Sequence, residues 1–339
     1  MTVGSRSIRM MAILFVFNSI LAAVALFNMY SVAEQVRTTA EIQYSQFLDL
    51  YTFVSSIEFI MLLFIMPALT ASSISGERER QTLELMLTTT MEPRDMVLGK
   101  LASSLVTMLV LAVSALPVQA LVFVYGGVTL QDIGMLFLCH GVVAILTGSI
   151  GIFYSSVLRR STVSTVCSYV TVVALTAGTM AVNLFAYRMA LRAANSYASN
   201  LNASEMASSG ILRYLFLFNP AVSFYNVING QAGSGDMRKW FEPLFGVFPD
   251  NAITAHWTAC SLILQCILAM VLIAAAVWAI TPGKWNRHGK NKGKDNREIE
   301  KAEKQRDYEF GQGGREYGNY QSSGTRGRRR AGRSVAGSD

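Results

Sequence analysis

The chain has 339 residues, of which 52% are hydrophobic and only 15% charged. A soluble domain carries about 25% charged residues, so this composition excludes an ordinary soluble enzyme and points to a membrane protein. The net charge of +7 is unevenly spread: from Lys284 onward there are 15 Lys and Arg against 8 Asp and Glu, so the whole excess lies in the tail.

Arg6 and Arg9 precede an apolar run over residues 10–30. Ser31-Val32-Ala33 would serve as a signal-peptidase site, but a signal core is about 7–15 residues long. This run has about the 20 residues needed to cross a bilayer, so it reads as a first, uncleaved span. A polar loop (34–49) leads to a second span over 50–71, with Pro67 near its inner end. The stretch 74–100 is densely charged and cannot sit in hydrocarbon, where a charged side chain at the bilayer centre costs at least about 2.5–3.5 kcal/mol. A third span covers 97–125 and contains Pro117, which a bundle tolerates when neighbours re-satisfy the freed carbonyl. After a tight turn at 126–132, a fourth span covers 133–158 and ends at Arg159-Arg160; a fifth runs over 162–187.

The long segment 188–256 is expected to form short helices on the membrane surface. Its most apolar part, 211–222, is too short to span and is interrupted by Arg213 and Pro220. A sixth span covers 257–280, stopped by Pro282-Gly283, with Trp285 suited to the interface. Arg6, Arg9, Arg78, Arg80, Arg94, Lys100, Arg159, Arg160 and the basic tail place the N-terminus and the C-terminus inside. Arg37 would then lie outside, as would Arg188, Arg192, Arg213, Arg238 and Lys239, the last five in a long loop where the rule counts less. The tail 284–339 has too few apolar residues to bury a core, so disorder is expected.

The charged stretch has a helical pattern. Leu83, Met86, Leu87 and Thr90 recur at the three-and-four spacing of one face. Glu77, Gln81, Glu84 and Thr88 form a second, polar face, and Leu85 points away from the apolar stripe with Arg78, Thr82 and Thr89. Gly76 is expected to break the preceding helix. Glu77 and Glu79 would then occupy a new first turn that suits the helix dipole, and Pro93 opens the next helix.

The run from Ser75-Gly76-Glu77-Arg78-Glu79-Arg80-Gln81-Thr82-Leu83-Glu84-Leu85-Met86-Leu87 to Thr90, followed by Pro93 and Gly99-Lys100, resembles the coupling-helix loop of type-2 ABC transporter permeases. Thr90-Met91 departs from that pattern, where Pro is common, and affects only how the helix ends. The resemblance covers roughly residues 8–282. It implies that Glu77, Arg78, Gln81, Thr82, Glu84, Leu85 and Thr88 face an ABC ATPase, while Leu83, Met86 and Leu87 lie against the membrane base. It also implies a second permease subunit, identical or a sister chain, and export rather than import.

No Gly-x-x-x-x-Gly-Lys-Ser/Thr phosphate loop occurs, so ATP and Mg would be bound by the partner ATPase and no cofactor is expected in this chain. The three histidines are far apart in sequence and show no metal-ligand spacing, and the four cysteines read as packing residues. No nucleic acid is expected as a partner. Gly148-Ser149-Ile150-Gly151 loosely echoes an intramembrane serine-protease motif, but small residues at this spacing favour helix packing. Within the spans, Glu58 has two open readings: a group lining the translocation path, or a structural pair. Asn18 and Gln119 are further candidates for that path, although, like Gln265, they suit interhelical hydrogen bonds.

The sequence therefore predicts an all-α polytopic protein with six transmembrane helices, resident in the plasma membrane. Residues 1–283 form the permease domain and 284–339 a basic tail. The alternatives are a membrane anchor or scaffold and an intramembrane enzyme. The first leaves the stretch 77–90 without a role, and the second lacks convergent polar pairs.

Overall fold

A computed structural model describes residues 3–39, 45–83, 92–124, 128–197, 208–232, 238–246 and 251–281. The elements in order are α1 (Val3–Thr39), α2 (Ser45–Ala71), the short α3 (Ser75–Glu79), α4 (Pro93–Val124), α5 (Leu130–Val157) and α6 (Ser161–Val173). A π-helical turn, Ala174–Gly178, carries α6 into α7 (Thr179–Tyr197). There follow a 3-10 helix (Gly210–Phe218), α8 (Pro220–Ala232), α9 (Arg238–Phe245), the single turn α10 (Ala252–Ala255) and α11 (Trp257–Ile280).

Among the described residues there is no strand, and five segments are long and apolar enough to cross a membrane: Phe47–Glu79, Pro93–Ala120, Leu130–Val157, Ser161–Asn195 and Trp257–Ile280. The protein is an all-α polytopic membrane protein. In α1 the described apolar stretch, Phe15–Ser31, is shorter. Large apolar side chains such as Phe64, Val106, Val170 and Met270 stand exposed on the bundle surface, as lipid contact requires.

The bundle is built around α5. Of its apolar window 72% is buried, against 39% or less in the other four spans. Its closest neighbours are α2 and α11. Small residues permit this: Gly148, Ser149, Gly151, Ser155 and Ser156 are all buried on α5. A Cβ at Gly148 would lie 2.7 Å from Met66 Cε and 2.8 Å from Leu101 Cδ1, and one at Gly151 would collide with the Thr70 hydroxyl. The glycine pair thus lets α5 approach α2 and α4 closely, the packing role the sequence suggests.

Several boundaries differ from expectation. The fifth span continues to Tyr197, ten residues beyond the predicted end, because the π turn absorbs an extra residue without breaking the helix. In the long segment, the 3-10 helix and α8 form a pair bent by 85°. The expectation that these helices lie on the membrane surface fails for α8, which packs against α2, α5 and α11. Its Phe224, Val227 and Ile228 join the main core. Pro220 causes the bend, since it lacks the N–H needed to continue the preceding helix but is suited to the first turn of a new one. Asn219 fixes the corner: its Oδ1 accepts from Ala221 N (2.8 Å), and its Nδ2 donates to Thr176 O (2.8 Å) and Thr179 Oγ1 (2.7 Å) at the π turn. The tail, residues 284–339, lies outside the described residues.

Candidate functional site: an elbow clamped to four spans

Two polar constellations stand out, one at the elbow after α2 and one deep in the bundle. The elbow begins where α2 stops at Ala71 and a turn over 72–74 leads into α3. Gly76 is not the breaker; it sits inside α3, its N–H donating to Ser72 O at 3.0 Å. A helix C-terminus leaves carbonyls without partners, and here neighbouring spans supply them. Ser164 Oγ of α6 donates to Ala71 O at 2.7 Å, and Lys100 Nζ of α4 donates to Ser73 O at 2.7 Å. Ser155 Oγ of α5 accepts from both Ile74 N and Ser75 N at 2.9 Å.

The charged side chains of α3 continue the pattern. Glu77 forms an ion pair with Lys100, both partners about a quarter exposed. Arg78 Nη2 donates to Ser156 O at the end of α5 at 3.0 Å. Glu79 accepts from Ser161 N (2.9 Å) and Ser161 Oγ (2.8 Å). It thereby caps α6, whose own N-cap residue, Arg160, makes no side-chain cap; an anion at a helix N-terminus is favoured by the dipole. The elbow therefore contacts α2, α4, α5 and α6 through polar bonds that are buried or half-buried except at the exposed Glu79–Ser161 pair.

Beyond α3 the predicted continuous helix is interrupted. Gln81 takes a positive φ of 59°, a left-handed conformation that ends α3. Arg80, Gln81 and Thr82 are exposed, and the Thr82 hydroxyl donates to Glu77 O at 3.1 Å. Leu83 turns back and is buried with Ile74, Met96, Val97, Leu101, Ile152 and Ile280. The polar face drawn through Glu77 and Gln81 is thus not one surface, because Glu77 points to Lys100. Glu84, Leu85, Met86, Leu87 and Thr88 lie outside the described residues.

In the bundle, Glu58 lies about 17 Å along the span from Phe47, at 1.5 Å per residue, and is 7% exposed. This is deeper than a span beginning at residue 50 would place it, because α2 begins at Ser45. Gln119 Nε2 of α4 donates to Glu58 Oε2 at 2.9 Å. His140 Nδ1 of α5 lies 3.9 Å from the same oxygen. The imidazole stacks on Phe224 of α8, which stacks in turn on Phe59, with centroids 5.7 and 4.4 Å apart. Asn18 Nδ2 of α1 donates to Ser114 Oγ of α4 at 3.2 Å, and Gln265 Nε2 of α11 donates to Ser223 Oγ at 2.7 Å. Glu58, Gln119 and His140 are thus brought together, whereas Asn18 bonds elsewhere.

A family model for ABC-2 family transporter proteins matches residues 2–280. The chain belongs to that family. It is a type-2 ABC transporter permease, and its spans are those of a transport subunit. Compared with curated proteins, the chain matches none.

The motif accounts for only part of what holds the permease's elbow. Ser155, Ser161 and Ser164 make five of its anchoring hydrogen bonds and lie far along the chain, and Lys100 receives Glu77 from the other end of the same stretch. Ser161, Ser164 and Ser168 recur at helical spacing on α6, a polar stripe within an apolar span that marks a contact face. His140 offered no such signal: it is one polar residue in an apolar run, and only the packing of α5 on α2 sets it beside Glu58.

Proposed function

We propose that this permease forms the translocation pathway of an exporter and couples it to ATP hydrolysis in a separate ABC ATPase chain that binds ATP and Mg. The observation that supports this reading is the elbow: one segment, 72–83, bonded to four spans while Arg80, Gln81 and Thr82 remain exposed. A push on that exposed turn acts on α2, α4, α5 and α6 together, which is what coupling to a distant pathway requires. Glu84, Leu85 and Thr88 extend the docking face, with Leu85 as its apolar anchor among polar rim groups. Both termini are cytoplasmic, α1 is the first crossing, and two permease subunits, identical or sister chains, pair in the plasma membrane. Glu58, with Gln119 bonded to it on α4, lines the path, and Asn18 on α1 is a further residue of it.

The test is co-expression with a partner ABC ATPase, followed by co-purification and measurement of ATP-driven efflux. Leu85→Asp should reduce ATPase recovery and separate hydrolysis from efflux, while the chain still inserts in the membrane. Full ATPase recovery with normal efflux would place the docking face elsewhere; loss of insertion would make the stretch structural.

A further inference from the structure

A cavity of about 240 Å³ lies among α1, α2, α4 and α5. Its wall is apolar except at Glu58 and His140, and includes Phe17, Met61, Met108 and Phe137. Two wall residues, Leu109 (62% exposed) and Gly141, reach the bundle surface, so the cavity opens between α4 and α5.

The carboxylate in this wall is incompletely matched. Gln119 occupies Glu58 Oε2, but Oε1 has no hydrogen-bond partner and is shut off from solvent. Gln119 Oε1 is a second buried acceptor without a partner. His140 Nδ1, at 3.9 Å, is beyond hydrogen-bond reach, and among the described residues no Lys or Arg lines the cavity. Removing a carboxylate from water costs several kcal/mol unless a counter-charge or further donors compensate. Oε1 is closed to a water-sized group where it stands, so a positively charged donor in the cavity would reach it by a turn of the Glu58 carboxylate. The remaining wall suits an apolar body: methionine side chains adapt to varied shapes, and aromatic rings give contact area and attract cations.

We infer that this cavity is a binding site for a lipophilic monocation, with a protonated amine against Glu58 and an aromatic or alkyl body among Phe17, Met61, Met108 and Phe137. The inference deepens the pathway reading by naming a substrate class, and it rests on that reading only for transport. Binding itself needs no ATPase.

The experiment is equilibrium binding of tritiated 4-phenylbutylamine to the purified full chain in nanodiscs at neutral pH, with 4-phenylbutan-1-ol as the uncharged competitor. The amine should bind saturably and the alcohol should compete about tenfold less well or worse, a difference of about 1.4 kcal/mol or more. Glu58→Gln keeps the side-chain volume and should weaken amine binding by a similar factor. Gly141→Leu should weaken both compounds by filling the opening; the first side-chain atom there meets nothing within 4 Å. Equal competition by the alcohol would show an apolar pocket in which the carboxylate plays no part, and would overturn the proposal. So would the absence of saturable binding, or wild-type affinity in a folded Glu58→Gln chain. The alcohol comparison uses the wild-type chain and holds even if the variant does not fold. Loss of ATPase co-purification with amine binding intact would remove the coupling assignment and leave this site standing.

Discussion

Lys100 Nζ and Glu77 Oε1 lie 2.5 Å apart, joining two ends of one charged stretch that are 23 residues apart in sequence. The pair ties α3 to the start of α4, and the same ammonium also holds Ser73 O. Glu77 is thereby a link within the permease, whereas the exposed Arg80, Gln81 and Thr82 are open to a partner.

Charge reversal at this pair separates the two roles. Glu77→Lys should lower stability by about 1.5–3 kcal/mol, the worth of a hydrogen bond to a charged group, read as a fall in thermal unfolding temperature in detergent. The swap Glu77→Lys with Lys100→Glu should recover part of the loss. Recovery stays incomplete because a glutamate at 100 cannot donate to Ser73 O. An unchanged midpoint in Glu77→Lys would show that the pair contributes nothing.

Gly151 and Gly134 lie on the same helix in opposite surroundings. Gly151→Ala drives a methyl into Thr70 and to 3.1 Å from the Ala71 amide nitrogen. Overpacking of this kind costs about 1–3 kcal/mol, so the folded yield and unfolding temperature should fall. At Gly134 a Cβ meets nothing within 4 Å, and Ala in a helix gains about 0.5–1 kcal/mol over Gly. Gly134→Ala should therefore match or exceed wild type; equal behaviour of the two variants would remove the close-approach argument for α5 on α2.

Asn219 tests the bent pair. Asn219→Ala loses the cap on α8, worth about 0.5–2 kcal/mol, together with both bonds to the π turn. Asn219→Asp keeps the acceptor for the Ala221 amide but brings an oxygen against Thr176 O. Both variants should melt below wild type, and Asp should give no better than partial rescue. Full rescue by Asp would mean that the cap alone matters and the π-turn contact is incidental.

Orientation is open to thiol labelling. Gln131 at the start of α5 and Thr82 at the elbow are both exposed, and the span between them places them at opposite membrane faces. In intact cells Gln131→Cys should react with an impermeant maleimide, and Thr82→Cys only after permeabilisation, against the background of the four native cysteines. The reverse pattern would invert the topology and put the elbow out of reach of a cytoplasmic ATPase.

Much of this architecture is written in local sequence. An apolar run of about 20 residues has the length and composition to cross hydrocarbon, so four of the spans and α11 were legible from composition alone. The charged stretch excluded itself from the membrane by the same physics, and its residue order pointed to the family. Tertiary structure decided what depends on distant partners. Glu77 faces Lys100 because α4 starts beside the elbow, and α6 receives its cap from Glu79, 82 residues earlier in the chain. Glu58, Gln119 and His140 share one buried site because the glycines of α5 let that helix press against α2 while α4 closes the third side. The bend at Asn219-Pro220 sends α8 into the core, which hydropathy does not reveal: a 13-residue helix is too short to be a span, and whether it lies on the surface or packs inward depends on the groove that α2, α5 and α11 leave for it. Periodicity reports which face of a helix is apolar, whereas the partner of that face is set by the packing of the whole bundle.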